Sequence, residues 1–353
     1  MIASPLPASG RGQFGGAALA GVRSFDAEEL IADDTHLGLR REATYCWGTA
    51  RNRDGDLFVF ARRMAAPGAA AGAAVLASAA PQHSMSDRFM LQSTIDGAGY
   101  PALRREGRRS ALSDVVDRGL RDGRAAFHID ATGDRGQLDL VVGDDVVAYN
   151  EADLVDVSGE RVGPALHWYV PHGDAALYYA TQTWMVAGTM LGQEVDGFLF
   201  IEEAYMPAGG RLYVTHDPLP ELRYRTWYSW ANRWDDGSIE FGHFLANDDL
   251  FSVGIIADAG GTATFASGVS LEVERDEDGY WYKRIALDVD GEAWEIVADP
   301  CGQMKDLGPI PNPQQEAHAR RVGETRRPLS WMAWGETVPG NDPDAAGSPE
   351  MSR

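Results

Sequence analysis

Leu177-Tyr178-Tyr179-Ala180-Thr181-Gln182-Thr183-Trp184-Met185-Val186-Ala187-Gly188, followed shortly by Val195-Asp196-Gly197-Phe198-Leu199-Phe200-Ile201-Glu202-Glu203-Ala204-Tyr205, is the stretch that decides the fold. Aromatic and β-branched residues fill both runs, and a short Gly-bounded turn separates them, which is the pattern of a β-hairpin. Two adjacent carboxylates close the second run. Side chains alternate faces along a strand, so Glu202 shares the side of Phe200 and Glu203 takes the opposite one. A carboxylate on an aromatic inner side has its charged form disfavoured by desolvation, which is how a protein makes an acid that works near neutral pH. Glu203, sent the other way, is expected at the surface.

The same texture extends outward from this hairpin. Residues 44–50 and 57–63 read as strands around Asp54-Gly55, and 124–131 and 136–142 as strands around Gly133-Asp134. Residues 88–95 and 168–170 add two more. In the second half, 223–234 and 238–246 flank Asp235-Asp236-Gly237. Runs at 251–257, 261–265, 269–275, 280–289, 292–298 and 329–337 follow, most of them bounded by Gly, Asp or Asn. Residues 26–30 read as a short helical turn, 73–79 as a small helix or apolar loop, and 110–119 as strand or helix. Short strands at regular intervals with turn signals between them predict an all-β sandwich or barrel.

At 353 residues the chain fits two domains of ordinary size. It is rich in aromatics, with 10 Trp, 12 Tyr and 12 Phe. A net charge of −22 argues against nucleic acid, whose phosphates need a basic face, and against an anionic membrane surface. No run is long enough to span a membrane as a helix. Two distant cysteines, Cys46 and Cys301, make neither a disulfide framework nor a metal spacing, and read as reduced thiols of a cytoplasmic protein. An oxidised pair linking the domains is the alternative. Residues 1–25 lack the basic start and apolar core of a signal peptide and read as a disordered lead-in. Residues 340–353 read as a loose tail.

Thr44-Tyr45-Cys46-Trp47-Gly48 and Asp54-Gly55-Asp56-Leu57-Phe58-Val59-Phe60 resemble the opening hairpin of the tandem-lipocalin proteins, the relatives of carotenoid 1,2-hydratase (hydroxyneurosporene synthase) and of AttH. Tyr178-Tyr179, Gly188, Val195-Asp196-Gly197 and Glu202-Glu203 fit the order of that family's Tyr-Tyr strand, turn and acidic tip. Trp227, Trp230, Trp234 and Asp235-Asp236-Gly237 resemble its second barrel, and Pro328 to Glu336 its closing strand. The match runs in order over residues 40–336. Two departures stand out: the family's Asp-His tip is Glu202-Glu203 here, and an Arg common on the Tyr-Tyr strand is replaced by Trp184.

The resemblance implies two lipocalin-like antiparallel barrels in tandem, residues 26–206 and 207–339, with a pocket between or within them. It implies an enzyme, a hydratase/lyase or cyclase/isomerase, that needs no cofactor and no metal. The substrate would be a hydrophobic isoprenoid- or polyketide-like molecule, hydrated or cyclised by acid catalysis. The rival is a non-catalytic protein that binds such a molecule. A homodimer is left open as a partner.

Glu202 aligns with the acidic position and is the candidate proton donor, against a solvated strand-end carboxylate. Tyr179 and His243 are the other candidate catalytic groups, one as a hydrogen-bonding phenol and one as a proton relay. Tyr178, Trp184, Tyr205, Trp227 and Trp230 are candidate substrate-binding aromatics, with ordinary core packing as the alternative for each. In particular, Tyr179, Trp184, Trp227 and Trp230 are expected around one apolar cavity. His167 and His172 could join Glu202 in a metal set, but Pro171 between them implies a loop rather than a zinc-binding helix. No serine elbow, dinucleotide fingerprint or phosphate loop is present.

Overall fold

The computed structural model describes residues 13–14, 19–33, 35–65, 89–95, 116–130, 137–151, 154–212, 216, 218–221, 223–246, 251–266, 268–304 and 313–341. Fourteen strands make a first sheet: β1 (Gln13–Phe14), β2 (Ala20–Arg23), β3 (Thr35–His36), β4 (Leu39–Asn52), β5 (Leu57–Ala65), β6 (Phe89–Ser93), β7 (Asp117–Arg121), β8 (Arg124–Ile129), β9 (Leu138–Val142), β10 (Val146–Glu151), β11 (Val155–Arg161), β12 (Ala165–Val170), β13 (Leu177–Met190) and β14 (Gln193–Met206). Nine make a second: β15 (Thr226–Trp234), β16 (Ile239–Ala246), β17 (Ser252–Asp258), β18 (Ala263–Ala266), β19 (Val269–Arg275), β20 (Tyr282–Val289), β21 (Glu292–Gln303), β22 (Gln314–Arg321) and β23 (Pro328–Thr337). Among the described residues the one α-helical element is a single turn, Pro218–Glu221, between the two sheets.

Both sheets follow one plan. Each is an antiparallel meander whose early strand pairs with its last: β4 with β14, and β15 with β23. Pairing first to last strand curls a sheet back on itself, the route by which an all-β protein removes its edges. The hairpin of β13 and β14 keeps unbroken register from Tyr178↔Tyr205 to Met190↔Gln193. Leu191 at its tip takes φ 49° and Gly192 φ 75°. On its other edge the far half of β13 pairs with β11 and the near half with β12, so that one edge of a 14-residue strand serves two partners.

Each curled sheet has its own interior. Phe58, Phe60, Leu140, Tyr149, Trp184 and Leu199 fill the first; Tyr228, Trp230, Phe244, Ile285 and Trp294 fill the second. A third apolar core lies between the barrels and includes Trp47, Trp168, Phe200, Trp227, Phe241 and Trp334. The strands at this junction are therefore covered on both faces. Every residue of β14 from Gly197 to Met206 is buried. Strands covered on both sides lose the alternation of a half-exposed strand and read as continuous apolar runs.

That double cover corrects the expectation for Glu203. It does face away from Glu202, but the opposite face is the barrel interior, not water, and Glu203 is fully buried. Arg41 Nε donates to its Oε1 at 2.9 Å, and the Tyr205 hydroxyl donates to the same oxygen at 3.0 Å. Arg41 also reaches the Ala32 carbonyl and the Tyr205 hydroxyl. Arg41→Met would leave a buried carboxylate without its cation, at a cost of about 3–5 kcal/mol. Denaturant unfolding should show that loss, and Glu203→Gln in the same chain should recover part of it.

Part of the lead-in assigned to residues 1–25 is ordered: Ala20–Arg23 is a fully buried strand paired with β12. The 3-10 turn Ala27–Leu30 is capped by Asp26, whose side chain accepts from the Glu28 N–H. The small helix expected at 73–79, the Gly133-Asp134 turn and the tail from residue 342 on lie outside the described residues, as does most of 110–119. Strands β10, β11 and β22 were not anticipated. Gln314-Gln315-Glu316-Ala317-His318-Ala319-Arg320-Arg321 carries almost no apolar period, because its inward small residues pack beneath large aromatics.

Candidate active site

The junction between the barrels holds a cavity walled by Tyr45, Trp47, Tyr179, Leu212, Trp227 and Trp334. Its polar groups include Glu202, Ser229, Gln314 and Glu336. Strand register explains the convergence. Directly opposed residues of antiparallel neighbours point to one face, and Glu202 stands opposite both Tyr45 of β4 and Thr181 of β13. The second barrel contributes Trp227, opposite Glu336, and Ser229, opposite both His243 and Trp334. Trp47 packs against Phe200 and edge-on against Trp334, with centroids 5.0 and 4.7 Å apart, and Tyr179 packs edge-on against Trp227 at 4.9 Å. Gly335 allows β23 to approach: a Cβ there would lie 2.0 Å from the Trp227 carbonyl oxygen. Gly335→Ala should force β23 from β15 and lower the thermal midpoint by several degrees, on the order of 1–3 kcal/mol.

Glu202 is the most heavily bonded group of the site and is only 3% exposed. Trp47 Nε1 and the Tyr179 hydroxyl each donate to Oε2 at 2.5 Å. On the other oxygen, Thr181 Oγ1 lies at 3.3 Å and Ser229 Oγ at 3.2 Å. Burial pushes the Glu202 carboxyl up to about 7, against the lowering effect of these hydrogen bonds, Tyr179 first. Tyr179 is itself raised well above the ordinary phenol value, by burial first and then by Glu202.

Thr181 and Ser229 also hold His243. Its Nε2 is 3.0 Å from Thr181 Oγ1 and its Nδ1 3.0 Å from Ser229 Oγ. Glu202, Thr181, His243 and Ser229 thus close a ring of four hydrogen bonds. Four bonds need four protons. Two hydroxyls and a neutral imidazole supply three, and burial drives His243 towards its neutral form, lowering it to about 3. The fourth proton is then the acid proton of Glu202. Hydroxyls can donate or accept, so the ring completes itself around a protonated carboxyl without moving an atom.

Alternation separates the remaining candidates. Tyr178 lies one residue from Tyr179, Tyr205 three from Glu202, Trp184 five from Tyr179 and Trp230 three from Trp227, and each odd offset turns the side chain to the other face. Tyr178 and Tyr205 pack with Leu39 at the end of the first barrel. Trp184 lies inside that barrel, edge-on to Phe25, and Trp230 inside the second, against Phe244 and Trp294. Of the four aromatics expected around one cavity, only Tyr179 and Trp227 line it. His243 does not line it either; it reaches Glu202 through two hydroxyls. His167 faces away from Glu202, beside Ala180 and Glu203 in the register, and meets the Tyr178 hydroxyl at 2.9 Å. Among the described residues no three His, Cys, Asp or Glu side chains gather as a metal-holding group, and no helix is long and apolar enough to cross a membrane. Cys46 and Cys301 are both unpaired.

Trp47, Thr181, Ser229, Gln314, Trp334 and Glu336 were not singled out from sequence. Thr181 and Ser229 lie two residues beyond Tyr179 and Trp227, so the even offset was the available signal.

No protein-family model matches the chain, and no curated protein matches it. Among solved structures, a protein assigned as an AttH from Nitrosomonas europaea aligns over 93% of this chain and 99% of its own, at 15% identity and a TM-score of 0.50. Kievitone hydratase from Nectria haematococca aligns over 90% of this chain and 96% of its own, at 7% identity and a TM-score of 0.40. CghA, in a structure with Sch210972, aligns over 91% and 98%, at 11% identity and a TM-score of 0.40. The likeness to the AttH structure extends over most of both chains and is one of fold: this chain is built as two lipocalin-like β-barrels in tandem.

Proposed function

We propose that the protein is an enzyme that protonates a carbon–carbon double bond of a hydrophobic small molecule, with Glu202 as the general acid. The observation that carries this reading is the closed ring of Glu202, Thr181, His243 and Ser229, which needs four protons, together with the burial that keeps the imidazole neutral and so leaves the fourth to Glu202. Protonating an alkene needs a neutral carboxylic acid in a dry site and aromatic faces beside the cation that forms. Glu202 stands in such a site, flanked by Trp47 and Tyr179, with Trp227 and Trp334 across the cavity. Water capture of that cation gives hydration, and capture by a second double bond gives cyclisation.

The aromatic walls support an isoprenoid- or polyketide-like substrate that presents an alkene to Glu202. The test is incubation of the protein with a panel of such alkenes in water enriched in oxygen-18, read by mass spectrometry. A product that has gained one labelled water shows hydration, and an isomer of unchanged mass shows cyclisation. Binding of panel members with no change in any of them would leave a ligand-binding protein and sink the enzyme reading.

A further inference from the structure

The cavity holds a second carboxylate, with fewer hydroxyl partners than Glu202. Glu336 stands near the end of β23, is 3% exposed, and faces the cavity from the second barrel. It lies opposite Trp227 of β15, as Glu202 lies opposite Tyr45 of β4. Each barrel's closing strand thus brings one carboxylate to the junction, beside an aromatic of the strand it closes against.

One donor to Glu336 is fixed in direction. The indole N–H of Trp334 can only donate, and it meets Gln314 Oε1 at 2.6 Å. That contact sets the orientation of the amide and turns its NH₂ group towards Glu336 Oε2. An amide NH₂ can only donate, so Oε2 must present lone pairs. The Tyr224 hydroxyl donates to Oε1 at 2.7 Å. Around Glu202, by contrast, three of the four partners are hydroxyls, free to reverse. Three of the four partners of Glu202 can therefore turn to accept its proton, whereas on Glu336 only the Tyr224 hydroxyl is seen to do so, and the relay from Trp334 through Gln314 holds Oε2 as an acceptor. Two carboxyl groups in one cavity with unlike hydrogen-bond partners are the arrangement from which an acid and a base are made.

Resting on the proton-donor reading of Glu202, we propose that Glu336 is the base of this site. It stays a carboxylate, faces the positive charge that protonation creates, and receives the proton of the water that captures it. The alkene π pair forms a C–H bond with the Glu202 proton, whose O–H bond breaks and leaves a carboxylate. The neighbouring carbon becomes the cation. Water oxygen bonds to that carbon, and the O–H bond that then breaks gives its proton to Glu336. The sum adds one water across the double bond, with no electron gained or lost, and the proton on Glu336 returns to Glu202 through solvent.

The charge preference can be read without a substrate. Choline and 3,3-dimethylbutan-1-ol have the same shape, one with a quaternary nitrogen and the other with a quaternary carbon. Both would be titrated by NMR into the wild-type protein, Glu336→Gln and Glu202→Gln. The wild type should bind choline at least about tenfold more tightly than the alcohol, because a buried carboxylate and aromatic faces favour a cation. Glu336→Gln should level the two while leaving the alcohol unchanged, and Glu202→Gln should keep the preference. Equal binding by the wild type, or an intact preference in Glu336→Gln, would overturn the assignment. If Glu336→Gln does not fold, Gln314→Leu takes its place. Without the oriented amide Glu336 is held less firmly as the anion, so the choline preference of that variant should be smaller than that of the wild type under the same conditions; an unchanged preference overturns the proposal. The proton-donor reading fails separately, if the labelled-water panel yields no product while choline is still preferred.

Discussion

Glu202→Gln should lower turnover by about 10²–10⁴-fold on any alkene found by the labelled-water panel. The amide keeps the shape of the side chain, and its oxygen can still accept from Trp47 and Tyr179. What it lacks is a proton to give. Ligand affinity should stay within a few-fold, since binding rests on the aromatic walls. The wild type carries a second signature. With the Glu202 carboxyl near 7, the rate should be level below that pH and fall about tenfold per unit above it, as the acid form is depleted. Tyr179→Phe removes the largest hydrogen-bond contribution that opposes burial, so the Glu202 carboxyl should rise and the falling limb move to higher pH. A purely structural role for Tyr179 would lower the rate without moving the limb. A fully active Glu202→Gln enzyme removes the acid role altogether.

The elements legible in the sequence are those whose turns are chemically marked. The hairpins around Asp54-Gly55 and Asp236-Gly237 and the long one of β13 and β14 fall where the Gly-bearing turns place them. Tyr179 and Glu202 were legible for the same reason: alternation on a strand with known ends assigns their shared neighbours. Glu203 was misplaced because alternation gives a face but not what covers it. A sheet with a barrel interior on one side and a second barrel on the other has no solvent face, and nothing within β14 alone announces the second barrel. Trp184 and Trp230 were grouped with Tyr179 and Trp227 by aromatic density, although their odd offsets already set them on the other face. Ser229 and Glu336 belong to the site only because the two sheets pack together, at sequence distances from Glu202 that no local pattern spans. Strand β22 stayed hidden because its contribution is polar: Gln314 orients Glu336, and Glu316 joins the barrels.

Glu316 leads to the other large effect, on stability against pH. It is fully buried at the junction, where Thr49 Oγ1 donates to Oε2 at 2.8 Å and the Ala333 N–H to Oε1 at 3.2 Å. Arg51 stands 3.8 Å away, engaged with Asp299 and stacked over Trp331 at 3.9 Å. Burial pushes the Glu316 carboxyl up to about 8, against the lowering effect of Arg51. Glu202 is raised as well, to about 7. A carboxyl raised by folding favours the folded state while it is protonated there, and that advantage is complete below the unfolded value near 4.5. It drains away as pH rises through the folded value. Stability should therefore decline from pH 6.5 to pH 8, with Glu316 alone accounting for a change on the order of 5 kcal/mol between its two limits. Buried histidines bend the curve the other way. His167, His243 and His318 are all lowered to about 3 by burial, so below pH 6.5 the unfolded chain takes up protons that the folded one refuses. Below pH 6.5 these three oppose Glu202, Glu316, Glu29 and Asp276, all raised by burial first, so the curve should flatten there and its decline should show above pH 6.5. Thermal unfolding followed by circular dichroism from pH 4 to pH 9 tests the shape. Glu316→Gln carries no charge to desolvate, so its alkaline limb should flatten to what Glu202 alone leaves, and at pH 8.5 it should melt above the wild type. An unchanged alkaline limb in Glu316→Gln would mean that the charge at the junction is fully met by Arg51 and Thr49, and that burial does not set its state.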